Sequence, residues 1–330
     1  MLQEPARVSL RWLLFVSQAG GYCMTTIVKR MPASRAARIR KRNTNLAGYM
    51  FILPWLIGLV IFTSIPMLYS LYLSFTKYDA LGAPQWIGVN NYVNMVQDET
   101  FWKALGVTFK YVFLLVPLRL ASALAVALVL TTDHKGIPLY RTVYYVPSLL
   151  GGSVAIAIIW ARIFGSNGAF NGIISAITGT LFSFNWVGEI STALYSLILL
   201  GCWHFGSSML IFVSGIKQIP ASYYEAALLD GANSWQKFRY ITLPALSPVI
   251  FFNLVQGIIN AFKAFSEALI ITDGGPLNST MLFALYIYKQ GFSYFKMGYA
   301  CAMSWVLLVI ISIFSIFVFK SSDSWVHYES

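Results

Sequence analysis

Charged side chains are scarce in this chain of 330 residues: they make up 11% of the sequence, whereas hydrophobic residues make up 58%. A soluble globular domain carries roughly 25% charged residues, because its surface has to be wetted. The shortage of charge therefore excludes an ordinary soluble protein and indicates a surface that mostly faces lipid. Aromatic residues reach 16%, as is typical of membrane proteins whose Trp and Tyr side chains lie at headgroup depth.

Cysteine and histidine are also rare, with three residues of each. Cys23, Cys202 and Cys301 lie far apart and share no CxxC spacing, which argues against a disulfide framework and against a zinc site. The sequence contains neither an HExxH motif nor a GxxxxGKS/T phosphate loop, so we expect no ATPase within this chain. We accordingly expect no catalytic residue, no metal and no cofactor bound by the chain itself.

The net charge of +11 is concentrated near the start of the sequence. Nine of the 23 Lys and Arg precede Asn45, with Glu4 as the one acid among them. A basic cluster just ahead of an apolar span marks the cytoplasmic side of a membrane, where it meets anionic lipid. We therefore interpret residues 1–45 as a basic cytoplasmic extension and expect no nucleic-acid partner. A translation start at Met24 or Met31 is an equally open interpretation of this stretch.

Six apolar stretches have the length, about 20 residues, that a helix needs to cross a bilayer core of about 30 Å. They cover residues 46–75, 104–130, 143–164, 192–215, 245–271 and 297–319. We predict an all-α integral membrane protein with six transmembrane helices in residues 46–320 and a cytoplasmic tail at 321–330. An even number of spans places both termini in the cytoplasm, and with them the loop between the fourth and fifth spans, residues 216–244.

The loop between the fourth and fifth spans has the most informative pattern. Ser222, followed three residues later by Glu225, predicts a capping box and the start of a helix. Gly231 is placed to end that helix in a left-handed conformation. A second short helix is predicted at residues 234–240. Such a stiff helix parallel to the membrane fits a lever between a soluble partner and the spans, and it fits equally an interfacial connector with no partner.

The same loop carries a longer signature. Its residues are Glu225, Ala226, Ala227, Gly231, Ile241, Leu243 and Pro244, at the spacing EAA, three residues, G, nine residues, I, one residue, LP. This pattern resembles the EAA loop of the permease subunits of binding-protein-dependent ABC importers. Segments 144–147 (YYVP), 272–276 (TDGGP) and 298–300 (GYA) resemble the carbohydrate-importing branch of that family, which includes the maltose and multiple-sugar permeases.

The resemblance implies a function and a set of partners. A subunit of this kind moves a sugar or oligosaccharide across the bacterial cytoplasmic (inner) membrane by alternating access. It works with a second permease, two ATPase subunits that hold ATP and magnesium, and an external solute-binding protein. The EAA helix docks into a groove on an ATPase, with Glu225 as its anchor. Ala226 and Ala227 permit close approach, and Gly231 makes the turn. Whether the two permeases are identical or different stays open.

Five polar residues recur along the fifth predicted span, namely Asn253, Gln256, Asn260, Lys263 and Glu267. Their spacing of 3, 4, 3 and 4 places them on one helical face. A charge at mid-bilayer costs about 2.5–3.5 kcal/mol on insertion scales, so this stripe has to face protein or water. We interpret it as a sugar pathway, because amides both donate to and accept from hydroxyl groups. The alternatives are hydrogen bonds between helices and pairing of the two charged members at i, i+4.

Two further cations, Lys110 and Arg119, lie on roughly opposite faces of the second predicted span. Arg119 is the deeper one and is predicted to contact a substrate carboxylate or to act as a buried counter-ion. Lys110 is predicted to snorkel outward. Together with Lys263, these cations suggest an acidic saccharide as one candidate substrate. The fourth span offers either sugar contacts or a packed His with a Ser partner, from Trp203, His204, Ser207 and Ser208.

Two other classes of membrane protein are alternatives to a transporter subunit. A membrane-embedded enzyme needs clustered His, Asp or Glu within the bilayer, which three His and no HExxH do not supply. An ion channel needs a pore loop or a repeated filter motif, and none is evident. We therefore expect a transporter subunit that is not itself an enzyme.

Overall fold

The computed structural model describes residues 49–132 and 135–327. The predicted basic extension at 1–45 lies outside the described residues, and so do the last three residues of the predicted tail. The chain divides into two units, Met1–Ile65 and Pro66–Ser330. The described part of the first unit, residues 49–65, is helical and presents large exposed apolar side chains such as Phe51 and Phe62. Such an exposed apolar surface suits contact with lipid.

The described residues are mostly helical. Helix α1 (Tyr49–Ser74) begins in the first unit and ends in the second. A two-stranded antiparallel sheet follows, in which Thr76 of β1 (Thr76–Lys77) pairs with Trp86 of β2 (Gln85–Trp86). The remaining helices are α2 (Asn90–Gln97), α3 (Glu99–Leu130), α4 (Ile137–Leu150), α5 (Val154–Ile163), α6 (Ala169–Thr178), α7 (Ala193–Trp203), α8 (Gly206–Gln218), α9 (Ala221–Leu229), α10 (Ser234–Lys237), α11 (Leu243–Ala245), α12 (Ser247–Phe262), α13 (Ser266–Ile271), α14 (Phe283–Tyr288) and α15 (Met297–Ser322). Single π-helical turns occupy Val60–Ser64, Phe238–Thr242 and Lys289–Ser293.

Between four and six membrane spans can be drawn through the described residues. Four helical segments are long and apolar enough on their own: α1, α3, the stretch Ser247–Ile271 and α15. Two more candidates are bent pairs, in which α4 meets α5 at 100° and α7 meets α8 at 42°. The count reaches six when each bent pair is taken as one span.

The third predicted span, residues 143–164, is not one continuous helix. Helix α4 begins earlier, at Ile137, and ends at Leu150, before a break of three residues. Gly152 within the break has φ +80°, a backbone conformation that glycine adopts without steric cost and that a helix cannot contain. Apolar residues lie on both sides of the break, so hydropathy alone predicts one straight helix. The backbone instead turns by 100° there.

Helix α3 packs against α7, α8 and α12 in the second unit. Two glycines bring these helices close to it. A Cβ atom at Gly201 on α7 would lie 2.9 Å from Leu115 Cδ1, and one at Gly257 on α12 would lie 3.2 Å from Val116 Cγ1. Small residues of this kind let the backbones of membrane helices approach each other.

The breaks in the two bent pairs meet at one place. The carbonyl oxygen of His204, freed where α7 ends, accepts hydrogen bonds from Ser148 Oγ at 3.1 Å and from Arg119 Nη2 at 2.6 Å. Helix α8 starts so close to α4 that a Cβ atom at Gly206 would lie 2.6 Å from the carbonyl oxygen of Tyr144. Broken helices are tolerated within a membrane when neighbouring groups satisfy the freed backbone atoms in this way. We call the two breaks and these contacts the helix joint.

Candidate functional site

A cavity of about 480 Å³ lies among α3, the α7–α8 bend, α12 and α13. We call it the central cavity. Its apolar lining comes largely from α3 and α12, and its polar lining is supplied by Tyr111, Arg119, His204, Ser207, Ser208, Asn253, Gln256, Asn260 and Glu267. A cavity of this size, apolar with a few convergent polar groups, is typical of small-molecule sites.

The structure brings four of the five residues of the predicted stripe to the central cavity. Gln256 and Asn260 are exposed along its wall, whereas Asn253 is buried and its Nδ2 donates to the carbonyl oxygen of Val249 in its own helix at 2.9 Å. Lys263 lies outside the lining, because α12 ends at Phe262 and Lys263 is its exposed C-terminal cap. The break before α13 also means that Lys263 and Glu267 do not share one continuous helix.

Arg119 and Glu267 give the central cavity one formal charge of each sign. Arg119 Nη2 is engaged by the carbonyl oxygen of His204, but its Nε has no hydrogen-bond partner among the described residues. The His204 imidazole lines the cavity, and its Nε2 likewise has no partner in the part of the chain that the structure describes. Ser148 contacts the backbone of His204 rather than its ring. The cavity thus contains two nitrogen groups whose hydrogen bonding is left incomplete.

Two neighbouring residues of α3 lie on different sides of the central-cavity wall, one as predicted and one not. Lys110 is exposed, and its ammonium lies 4.8 Å from the centre of the Tyr195 ring, away from the cavity lining. Tyr111 is buried and lines the cavity, although it is not among the predicted pathway residues. Its position eight residues before Arg119 places both on one face of α3, so helical spacing from the predicted cation would have identified it.

The predicted loop helix is present as α9, but its start differs from the prediction. The capping box expected at Ser222 and Glu225 is wrong: Pro220 occupies the N-cap with an extended ψ of 132°, and Ser222 already lies within the helix. The observed capping box belongs to α10, where Asn233 Oδ1 accepts from the backbone N–H of Gln236 and the Gln236 side chain accepts from the backbone N–H of Asn233.

The predicted end of this helix is confirmed. Gly231 has φ +75°, its N–H donates to the carbonyl oxygen of Leu228, and the N–H of Ala232 donates to that of Ala227. These two bonds define a Schellman motif, which satisfies carbonyl groups at the helix end and turns the chain. The chain then leads into α10.

A groove of about 490 Å³ lies between α9 and the segment that follows α10, and we call it the loop groove. The Tyr224 and Thr242 hydroxyls, 2.9 Å apart, connect its two sides. Glu225 is exposed, and neither it nor Gly231 or Leu243 lines the groove. The lining consists of Tyr223, Ala226, Ala227, Asp230, Tyr240, Ile241, Pro244, Ala245 and His327.

The C-terminal segment reaches the loop groove, which the sequence analysis did not predict. The backbone N–H of His327 donates to Ser247 Oγ at 2.8 Å, at the start of α12. Trp325 packs edge-on against Phe251, with ring centres 6.1 Å apart. These contacts fix the segment after α15 beside α12. Among the residues described, no group of three or more His, Cys, Asp or Glu could hold a metal ion.

A family model described as a binding-protein-dependent transport system inner membrane component matches residues 120–325. The matched residues include both helix breaks, most of the lining of the central cavity and all of the loop-groove lining except His327. The chain therefore belongs to this family of ABC transporter permeases, which is consistent with a transporter subunit and not with the two alternative classes.

Individual relatives cover almost the whole chain. It is 52% identical over 292 residues to a probable ABC transporter permease protein, YesP, of Bacillus subtilis, covering 88% of this chain and 94% of the relative. It is 32% identical to the arabinooligosaccharides transport system permease protein AraP of the same organism, covering 84% and 89%. A crystal structure of a bacterial ABC transporter involved in the import of alginate has the same fold, with a TM-score of 0.73 at 24% identity over 88% of this chain and 98% of that one.

Proposed function

We propose that this chain is one permease subunit of an ATP-driven, binding-protein-dependent importer of a sugar or oligosaccharide. The observation that carries the proposal is the central cavity, where Gln256 and Asn260 present exposed amide groups within the membrane-spanning part of a family member. Amides pair with sugar hydroxyls as donors and as acceptors. The arabinooligosaccharide permease among the relatives supports the same substrate class.

The partners follow from this role. A second permease of similar fold faces this one, two ATPase subunits bind on the cytoplasmic side and hold ATP and magnesium, and a solute-binding protein delivers substrate outside. The chain crosses the inner membrane several times, with both termini in the cytoplasm. Closure of the ATPase pair drives the change between inward and outward access.

The loop groove and α9 are the proposed contact with an ATPase subunit. Ala226 and Ala227 line the groove with the smallest side chains that still favour a helix, so a partner can approach the backbone closely. Glu225 is exposed beside them and is available to a donor on the partner. The Schellman motif and the Tyr224–Thr242 contact connect α9 to the chain leading into α12, so a push on α9 is passed to a wall of the central cavity.

An acidic saccharide is a second candidate substrate, and Arg119 is the observation that favours it. Its guanidinium lines the cavity, and its Nε has no hydrogen-bond partner among the residues that the structure describes. Guanidinium groups bind carboxylates strongly. Glu267 lines the same cavity and would oppose an anion. Uptake of a neutral disaccharide (lactose) and an acidic one (digalacturonate) by the Arg119→Gln variant distinguishes the candidates. Selective loss of digalacturonate uptake supports the acidic substrate, and equal uptake of both rejects it.

ATP-dependent uptake into vesicles that contain the complete reconstituted complex tests the function itself. Asn260→Ala removes one hydrogen bond to a hydroxyl, worth about 0.5–1.5 kcal/mol, so we expect a rise in KM of about two- to tenfold. Asn167→Ala is the matched control, because Asn167 is exposed and lies outside the central cavity. Saccharide uptake that needs no ATP, or equal KM values for the two variants, would contradict the proposal.

A further inference from the structure

A second large cavity, of about 600 Å³, lies away from the central cavity and the loop groove. It is formed by the segment after α1, by α2 and by residues around the start of α15, and we call it the outer cavity. Tyr299, near the start of α15, lines it, whereas His327, beyond the end of α15, lines the loop groove. The 26 residues of α15 are about 39 Å long at 1.5 Å per residue, more than a bilayer core of about 30 Å. The two sites therefore lie on opposite sides of the membrane, and the proposed function puts the outer cavity outside the cell.

The walls of the outer cavity are held by buried and partly buried hydrogen bonds. Asn91 Nδ2 donates to the carbonyl oxygens of Ser74 and Thr76, at 2.8 and 2.9 Å. Asp98 Oδ2 accepts from the hydroxyls of Tyr286 and Tyr299, at 2.5 and 2.9 Å. Sites that bind ligands depend on such fixed walls, because ordering the walls at binding would cost affinity.

The outer cavity also presents amide side chains that a ligand could contact. Gln290 is only 6% exposed, and its Nε2 donates to the Tyr286 hydroxyl, but its Oε1 has no donor among the described residues. Asn94 is exposed in the lining, one helical turn after Asn91. Lys77 and Lys296 lie at the same cavity and balance the two aspartates in it, Asp79 and Asp98.

An aromatic side chain stands exposed at the cavity. Phe295 is 54% exposed and has φ +55°, in the left-handed region that few large residues adopt. Tyr78 and Tyr299 also line the cavity. Aromatic faces offer apolar surface with fixed geometry, and next to amide groups they match a sugar ring, which has apolar C–H faces and hydroxyl edges.

We infer that the outer cavity is a saccharide-binding site on the permease itself, separate from the central cavity. Its volume falls within the range of about 300–1,000 Å³ for small-molecule sites. Asn94 and Gln290 supply the amide contacts, and Phe295 stacks on a sugar ring. The inference rests on the proposed function for its choice of side and substrate class. It adds a place where the outer face of the permease holds a saccharide before it enters the membrane.

Saturation-transfer NMR on the complete complex in nanodiscs, without the solute-binding protein, tests the inference. Lactose and digalacturonate serve as probes. The Asn94→Ala/Phe295→Ala variant should reduce the saturation-transfer signal of the bound probe at least threefold. The matched control is Asn90→Ala/Phe292→Ala, in which one Asn of α2 and one exposed Phe near the cavity are changed outside the lining.

A second variant and an uptake assay separate the possible outcomes. Gln290→Met keeps the side-chain length and removes both the Oε1 acceptor and the Nε2 bond to Tyr286, and it should also reduce the signal. If only Asn260→Ala in the central cavity reduces the signal, the outer cavity is not a saccharide site, although ATP-dependent uptake still supports the proposed function. If the outer-cavity variants weaken docking of the binding protein without changing the probe signal, the cavity holds a side chain of that protein and the inference fails. Absence of both signal and uptake would reject both proposals.

Discussion

Asp98 offers a sharp test of how the helices beside the outer cavity are stabilised. Its Oδ1 accepts the backbone N–H groups of Thr100 and Phe101 and so caps α3, while its Oδ2 accepts the hydroxyls of Tyr286 and Tyr299. One carboxylate therefore connects α3 to α14 and α15. We predict that Asp98→Asn weakens the folded complex although it preserves the size of the side chain.

The magnitude follows from what asparagine retains. Asn and Asp are nearly equivalent as N-caps, so the loss is confined to the two bonds at Oδ2. A hydrogen bond to a charged group contributes about 1.5–3 kcal/mol and a neutral one about 1 kcal/mol. Replacing two of the former with at best two of the latter should lower the free energy of unfolding by about 1–4 kcal/mol.

The dependence on pH has a defined sign. Partial burial acts to raise the pKa of Asp98, but the hydrogen bonds from Tyr286, Tyr299 and the backbone N–H groups together hold that pKa below its ordinary value. A carboxylate with a lowered folded-state pKa stabilises the protein above its unfolded pKa of about 3.9 and loses that effect as the pH falls through the folded-state pKa. The difference between wild type and Asp98→Asn should therefore be full at pH 7 and shrink below about pH 4.

Thermal unfolding of the purified complex, followed by size-exclusion chromatography across this pH range, measures both effects. Asp79→Asn is the control, because Asp79 is exposed and its Oδ1 contacts, to the N–H groups of Leu81 and Gly82, survive in asparagine. Asp98→Asn combined with Tyr299→Phe should cost less than the sum of the two single changes. The reasoning is refuted if Asp98→Asn is no less stable than Asp79→Asn at pH 7.

Two further predictions concern the loop groove and the helix joint. Ala227→Trp fills the loop groove and should reduce ATP-dependent uptake at least tenfold at unchanged expression. Leu229→Ala, at a position 90% exposed, should transport like wild type. Equal uptake by the two variants would contradict the proposed ATPase contact. Gly206→Ala places a Cβ atom 2.6 Å from the Tyr144 carbonyl oxygen and should destabilise the complex by about 1–3 kcal/mol in thermal unfolding. Gly172→Ala, with no atom within 4 Å of the added Cβ, should not be destabilising, and a matching loss there would show that the close approach at the joint is not the cause.

Local signals predicted most of the helices. Each of the six predicted stretches contains a helical segment or bent pair that begins and ends within six residues of the expected bounds, because an apolar stretch of this length fixes where a span can be. The Schellman end at Gly231 was predictable for the same local reason: a glycine after the last periodic residue is the residue that adopts φ +75° without strain.

The features that the sequence could not supply depend on contacts between distant residues. The bend between α4 and α5 lies beside the end of α7, where Ser148 satisfies the carbonyl oxygen of His204, and no local pattern reports that contact. The predicted polar stripe of the fifth span required one continuous helix as far as Glu267, but α12 ends at Phe262. Beyond that residue, a spacing of three or four no longer places side chains on one helical face. His327 reaches the loop groove only because the C-terminal segment folds back on α12.

The capping error has a local cause. The capping box was expected at Ser222, and the structure has one at Asn233 instead. Pro220 has φ −58° and ψ 132°, which suits the residue before a helix, so α9 starts at Ala221 and leaves Ser222 too far inside to cap it. Asn233 has no such competitor and caps α10.

The guanidinium of Arg119 is shared between two parts of the bundle. Its Nη2 donates to the carbonyl oxygen of His204 at the bend between α7 and α8, and the same group contributes the positive charge of the central cavity. A ligand that attracts the guanidinium into the cavity weakens its hydrogen bond to the His204 carbonyl oxygen. A change in the angle between α7 and α8 in turn moves the positive charge that lines the cavity. Occupancy of the cavity and the angle of the kink are therefore thermodynamically linked, and linkage of this kind acts equally in both directions.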